Sequence, residues 1–178
     1  MPNSITTATD IEQAIRNIPD FPKAGIQFKD ITPVLADARL FAGAIDLLTD
    51  GIKPGEVDAV VGIDARGFIF AAACALKLQA GFIPIRKKGK LPFTTHEQDY
   101  QLEYGTATIA VHTDALQPAS RVLLIDDLLA TGGTAAAAAV LVQKLGAQIL
   151  RISFLIELGF LKGREKLPGY PVRSIVVY

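Results

Sequence analysis

The sequence predicts an α/β domain: a mostly parallel, twisted sheet flanked by helices. Three observations predict it. Short apolar runs that read as buried strands alternate with runs of helical period, the order that builds parallel sheets. Half of the 178 residues are hydrophobic, enough for a sizeable core in one domain. And the strand-like run Val122 to Ile125 leads through Asp126 and Asp127 into a glycine loop and an alanine-rich helix. That is the layout of a ligand site at the carboxyl end of a sheet strand.

Taken in order, Thr9-Asp10-Ile11-Glu12 is a capping-box pattern that predicts a first helix to Ile18, ended by Pro19 and Pro22. Residues 20–30 read as an extended, turn-rich arm. Leu40, Phe41, Ala44, Ile45 and Leu48 share one face of a second helix. Residues 58–63 read as a short buried strand and 64–67 as a turn. Phe68 to Leu78 is an apolar helix closed near Gly81. Phe82 to Ile85 is the next strand, ending in Arg86-Lys87-Lys88-Gly89-Lys90. Residues 91–101 are polar without a clear period, which reads as a mobile loop. Leu102 to Val111 alternates in part, as a strand does. After the central strand comes a helix to Gly146, a strand over 148–156, a short helix over 162–166 and a last strand over 172–177. No repeat or low-complexity linker interrupts the chain.

Composition excludes several function classes. Eighteen Lys and Arg balance eighteen Asp and Glu, so no broad field attracts nucleic acid or an anionic membrane. The one cysteine, Cys74, sits among alanines and reads as a small core residue; it has no internal disulfide partner, which fits a reducing compartment. Met1 to Asp10 lacks the apolar core of a signal peptide, and the longest apolar run, Ala135 to Val142, is too short to span a bilayer. The expectation is a soluble, cytoplasmic protein. His96 and His112 stand in no metal-ligand spacing, and no Ser-His-Asp or Cys-His arrangement is apparent.

The glycine loop favours phosphate. A helix N-terminus carries unpaired N–H groups and a positive dipole end. Gly132 and Gly133 let the backbone close around an anion, and Thr131 and Thr134 add hydroxyls. No Lys-Ser/Thr follows, so this is not a P-loop; nor is it G-x-G-x-x-G. Carboxylates just before the loop suit sugar hydroxyls or a divalent cation, so the whole suggests a ribose 5-phosphate site. Taken alone, residues 86–90 read as a solvated charged turn. Placed after a strand, they can neutralise a pyrophosphate. Asp64-Ala65-Arg66-Gly67 has the same logic: a strand-to-helix turn offering backbone N–H groups and one cation.

The segment Val122 to Thr134 resembles the phosphoribosyl pyrophosphate (PRPP) motif of the type I phosphoribosyltransferase family, and Asp126 to Thr134 resembles the version in its adenine-using branch. The likeness extends over nearly the whole chain, through Phe21-Pro22, Gly25, Asp30, Ala65-Arg66-Gly67-Phe68, Arg86 to Pro92, Leu102-Glu103-Tyr104-Gly105 and Leu161 to Glu165. It implies the type I phosphoribosyltransferase fold as a single domain over 1–178, with an N-terminal purine hood over 1–34 and a flexible catalytic loop over 91–104. It implies purine salvage: transfer of 5-phosphoribosyl from PRPP to adenine, giving AMP and pyrophosphate. Mg²⁺ would be held mainly by substrate and water, with no direct protein ligand. A homodimer is implied, with no nucleic-acid or membrane partner.

Residue by residue, the resemblance implies that Ala130, Thr131, Gly132, Gly133 and Thr134 hold the 5-phosphate and that Asp126 and Asp127 reach the ribose hydroxyls. Ala65, Arg66, Lys87 and Lys90 would face the pyrophosphate, with a non-proline cis peptide in the turn at 64–67. Arg66, Glu103 and Tyr104 would serve catalysis, Glu103 as general acid or base and Tyr104 as a cover on the ribose or leaving group. Phe28 would stack on adenine, backbone groups of Gln27 and Lys29 would read its edge, and Leu128 would pack its other face. On its own Phe28 also reads as a plain core aromatic, and Glu103 as a solvated acid. The chain departs from the family pattern at Ala24, Gln27, Lys29 and Phe93, which bears on base preference. The competing readings are another purine acceptor, such as a 6-oxo purine, and a PRPP-sensing regulator without turnover.

Overall fold

A computed structural model describes residues 5–102 and 105–178. They form two compact units, one ending at Leu47 and the other spanning Leu48–Tyr178.

The first unit opens with helix α1 (Ala8–Ala14). Its capping box is formed by Thr7 and Asp10, not by Thr9 and Glu12: the Thr7 hydroxyl accepts from Asp10 N at 3.2 Å, and the Asp10 carboxylate accepts from Thr7 N at 2.8 Å. The helix stops at Ala14, short of the expected Ile18. Arg16–Pro19 instead forms β1, paired antiparallel with β2 (Gln27–Asp30), Ile18 opposite Phe28. The expected extended arm is therefore a two-stranded hairpin whose turn contains a cis Phe21-Pro22 bond. A short helix α2 (Thr32–Ala36), not expected from the sequence, is started by a proline in its first turn. Helix α3 (Ala38–Thr49) contains the expected second helix.

The second unit is built on seven strands: β3 (Ala59–Ile63), β4 (Gly81–Lys87), β5 (Thr95–Leu102), β6 (Gly105–His112), β7 (Arg121–Leu129), β8 (Gln148–Glu157) and β9 (Val172–Val177). Their spatial order is β5-β6-β4-β3-β7-β8-β9. The pairs from β4 through β3, β7 and β8 to β9 are parallel, and β6 and β5 join antiparallel at one edge. Helix α4 (Gly67–Leu78) connects β3 to β4, and α5 (Gly133–Lys144) connects β7 to β8. The sheet is covered on both faces. Val61, Ile63 and Leu124 pack with Ala138 and Leu141 of α5, while Gly62, one residue out of phase, faces Phe68 and Ala71 of α4. A side chain as fully buried as Phe70 contributes about 1.5–3 kcal/mol. Gln79, at φ 55, ends α4 in the left-handed conformation, two residues before the expected Gly81. Two 3₁₀ turns, Gly159–Leu161 and Gly163–Lys166, link β8 to β9. Among the described residues, no helix is long and apolar enough to cross a membrane.

The segment 91–101, expected as a mobile loop, is instead strand β5 from Thr95 onward, paired with β6 along its full length. Its residues are polar because the strand lies at the sheet's edge and satisfies itself across the pair and from a helix. Thr108 Oγ1 donates to Asp99 Oδ1 at 2.6 Å, and Lys144 Nζ donates to the Glu97 carbonyl at 2.9 Å.

At the amino ends of the parallel strands, Arg121 forks onto Asp58, Nη2 to Oδ1 at 2.8 Å and Nε to Oδ2 at 3.2 Å. The guanidinium, with the Arg121 backbone N–H, holds the Asp58 carboxyl at about 2, below the usual 3.8. A depressed carboxyl supplies stability above its unfolded value that is lost as pH falls through its folded value. Wild type is thus expected to melt above Asp58→Asn at neutral pH, with the difference vanishing as pH drops from 3.8 towards about 2. Thermal melts of both proteins across that range check it.

Candidate functional site

Three adjacent parallel strands, β4, β3 and β7, end at one edge of the sheet, and each runs into a turn singled out by the sequence. Strand β7 continues through both acids to Leu129, four residues past the expected Ile125, because its pairing with β8 persists to Leu129 opposite Glu157. Beyond it, residues 130–132 turn into α5. Gly132 is the N-cap at φ 78, and no side chain caps the helix. Its first-turn N–H groups therefore face outward for solvent or an anion. Asp126 and residues 128–135 line an open depression of about 280 Å³. In it Thr131 is exposed, while Leu128, Ala130, Gly133 and Thr134 are half-buried.

The two acids meet the start of α4. Asp127 is buried, and its Oδ2 lies 2.6 Å from Arg66 Nη2. The approach is an ion pair without hydrogen-bond alignment, so this oxygen has no directed donor. Asp126 Oδ1 accepts from Asp127 N at 2.9 Å and rests on Gly67, where a Cβ would come within 2.5 Å of it. The missing side chain at Gly67 is what lets Asp126 tuck under the helix. Burial pushes the Asp126 carboxyl well up, and the negative charge of Asp127 adds to the shift. Burial also raises Asp127, with Arg66 opposing. Two neighbouring carboxyls in one enclosed place resist double ionisation until positive charge or hydroxyl donors arrive.

The Asp64-Ala65 bond is cis, as the resemblance implied. Arg66 is the N-cap of α4, and this helix start also lacks a side-chain cap. One participant was missed in the sequence. Arg86 Nε donates to Asp64 Oδ2 at 3.1 Å and Nη1 donates to the Lys90 carbonyl at 3.1 Å, joining the cis turn to the basic turn. Opposite charges one residue past the ends of two apolar runs were its signal; the register that brings them level, Ile63 opposite Ile85, appears only on folding. Lys88 is taken up by Glu97 at 2.6 Å. Lys87 and Lys90 are exposed, and among the described residues neither forms an ion pair.

Gln27, Phe28 and Lys29 lie on β2 of the first unit; the Phe28 ring meets Phe21 edge-on at 5.1 Å and 75°. Glu103 and Tyr104 lie outside the described residues. Phe93 donates its N–H to His112 Nε2 at 3.4 Å and sets its ring against that imidazole, a contact for one of the departures from the family pattern. Among the described residues, no group of three or more His, Cys, Asp or Glu could hold a metal ion.

Comparison with known proteins gives concordant results. A model of the phosphoribosyl transferase domain matches residues 27–174. The chain is 58% identical over 162 residues to the adenine phosphoribosyltransferase of Acidothermus cellulolyticus, spanning 91% of this chain and 92% of that one. The crystal structure of adenine phosphoribosyltransferase from Thermoanaerobacter pseudethanolicus superposes with a TM-score of 0.93 at 49% identity, covering 97% of this chain and all of that one. The Saccharomyces cerevisiae enzyme, solved with adenine and an imino-altritol bisphosphate, gives 0.89 at 40% identity over 94% of this chain and 97% of that one.

Proposed function

Since this chain belongs to the phosphoribosyl transferase family and has its type I fold, we propose that it is a purine-salvage enzyme that transfers the 5-phosphoribosyl group of PRPP to adenine, giving AMP and pyrophosphate. The observation that carries this reading is the uncapped start of α5 at Gly132, directly beyond the Asp126–Asp127 pair on the same strand. Full-length likeness to adenine phosphoribosyltransferases supports the choice of base.

In this reading Ala130, Thr131, Gly132, Gly133 and Thr134 bind the 5-phosphate through amides and hydroxyls. Asp126 and Asp127 accept from the ribose hydroxyls. Ala65 and Arg66 offer the α4 start to the pyrophosphate, and Lys87 and Lys90, which form no ion pair among the described residues, supply the balancing charge. The bond from C1′ to pyrophosphate oxygen breaks, the bond from C1′ to adenine N9 forms, and the N9 proton leaves. Positive charge grows on the ribose as this happens, and the adjacent carboxylates stabilise it. Glu103 is the proposed proton-transfer group and Tyr104 the cover that excludes water. Gln27, Phe28, Lys29 and Leu128 are the proposed adenine contacts.

Mg²⁺ is the proposed cofactor. Two neighbouring carboxylates, one with an oxygen lacking a directed donor, fit an ion carried in mainly by substrate oxygens and water. When bound, it neutralises the leaving pyrophosphate. We further propose a cytoplasmic homodimer. The exposed Ile69 and Leu76, two turns apart on α4, support the pairing, and the buried lone Cys74 suits a reducing compartment.

Pyrophosphate release with adenine, hypoxanthine, guanine and xanthine, each with PRPP, with and without Mg²⁺, tests the reading. Turnover with adenine at least about tenfold above the other bases, and only with the metal, is expected. No release with adenine would overturn it, and preference for a 6-oxo purine would move the activity to another acceptor.

A further inference from the structure

The family-like segment Leu161 to Glu165 lies against the back of the glycine loop. Arg164 forks onto Glu157: Nε reaches both carboxylate oxygens at 2.8 Å and Nη2 reaches Oε2 at 2.7 Å. The same guanidinium donates to the Val172 carbonyl at 3.0 Å and to Ser174 Oγ at 3.2 Å, and Ser174 Oγ donates to Glu157 Oε2 at 2.6 Å. Glu157 is 5% exposed. The end of β8, the start of β9 and the second 3₁₀ turn are thereby locked to one another. The residue before Arg164 is Gly163. A Cβ there would strike the Ala130 carbonyl and lie 3.1 Å from Gly132 N, and a Cβ on Gly132 would strike the Gly163 carbonyl. The two backbones touch with nothing between them. On the other side, Leu158 N donates to the Leu129 carbonyl at 2.9 Å, fixing where the segment leaves the sheet.

We propose that Glu157, Arg164 and Ser174 are positioning residues for the PRPP site: they hold the Gly163 backbone as a wall behind residues 130–132, so the loop amides stay aimed at the phosphate. This rests on the proposed function, in which that loop binds the 5-phosphate. An anion cradle gains most from amides oriented before the anion arrives. A loop with two consecutive glycines has more freedom to lose than any other. A wall of main chain removes that freedom without placing a side chain in the phosphate's way. Glu157 is buried but the Arg164 side chain is 45% exposed; an ion pair with one partner in solvent is weak evidence for net stability, so a role in geometry accounts for this one better than a role in holding the fold.

The experiment is steady-state kinetics with each substrate varied, together with thermal melts, on wild type, Arg164→Gln, Glu157→Gln, Arg164→Lys and Arg121→Gln. The last breaks the ion pair at the opposite edge of the sheet. Arg164→Gln and Glu157→Gln are expected to raise the PRPP KM roughly tenfold while kcat and the adenine KM stay within about twofold. Arg164→Lys, which keeps the charge but loses the fork, falls between. Arg121→Gln lowers Tm and leaves the PRPP KM unmoved. An unmoved PRPP KM, or both KM values and kcat drifting together with Tm, would overturn the inference. Should Arg164→Gln fail to fold, Arg164→Lys and Ser174→Ala carry the same comparison. Wild-type turnover is measured first: its absence sinks the functional reading and this inference with it, whereas normal wild-type turnover with unmoved variants sinks the inference alone.

Discussion

Gly132→Ala is expected to raise the PRPP KM by at least about tenfold, equivalent to 1.4 kcal/mol, and to lower Tm by roughly 5–15 °C. Two costs add at one atom. At φ 78 a side chain sits in the left-handed region, which disfavours L-residues by about 1–2 kcal/mol. The new methyl is also driven into the Gly163 carbonyl, and overpacking of this kind costs about 1–3 kcal/mol. The strain is relieved only by moving the loop, which displaces the amides proposed to bind phosphate. Gly133→Ala is the matched comparison. Its Cβ would lie 3.1 Å from the Gln101 carbonyl and 3.6 Å from the Tyr100 ring, with no left-handed backbone to strain. A smaller rise in KM and a smaller loss of Tm are expected there. Equal effects from the two variants would contradict the geometry.

Asp127→Asn is expected to cut kcat/KM for PRPP by at least about tenfold. The amide keeps the shape but removes the charge that faces Arg66 and, in the proposed reaction, the growing charge on the ribose. Asp126→Asn carries a second, opposite consequence. Burial raises both carboxyls above the usual 3.8. A carboxyl so raised ionises first in the unfolded chain, so stability is full below 3.8 and declines as pH climbs from there through the raised value. At neutral pH the neutral amide escapes this penalty. Asp126→Asn is therefore expected to melt at a higher temperature than wild type while turning over more slowly. Calorimetry with steady-state kinetics reads both; a variant that loses stability and activity together would show that the acid pair serves the fold.

What the sequence disclosed follows from the range of each interaction. The strand-acid-acid-glycine-helix run around Asp126 is local, and so was the turn at Asp64. Both could be read because strand, charge, glycine and helix signals succeed one another without interruption. The edge strand β5 could not: its inner face, His96, Gln98 and Tyr100, is only half-buried and mostly polar, so its residues show no apolar alternation, and its partners Thr108 and Lys144 are supplied by other elements. The β1–β2 hairpin was hidden for the same reason, since pairing of Ile18 with Phe28 crosses a proline-rich turn. The capping box was legible as a pattern but not in its register, because Thr7 with Asp10 competes with Thr9 and Glu12 for one helix start. Arg86 and Glu157 were unreadable as site supports. Each acts through a partner on another element, Asp64 in one case and Arg164 in the other.

The main-chain contact between Gly132 and Gly163 also constrains how this protein can drift. Neither position can acquire a side chain while the other segment stays where it is, so single-step changes are closed at both. The crossover from β8 to β9 thereby inherits a selective pressure that originates at the proposed phosphate loop, far away along the chain. A lineage that lengthens or reshapes that crossover must remodel the glycine loop in the same step, or lose its shape.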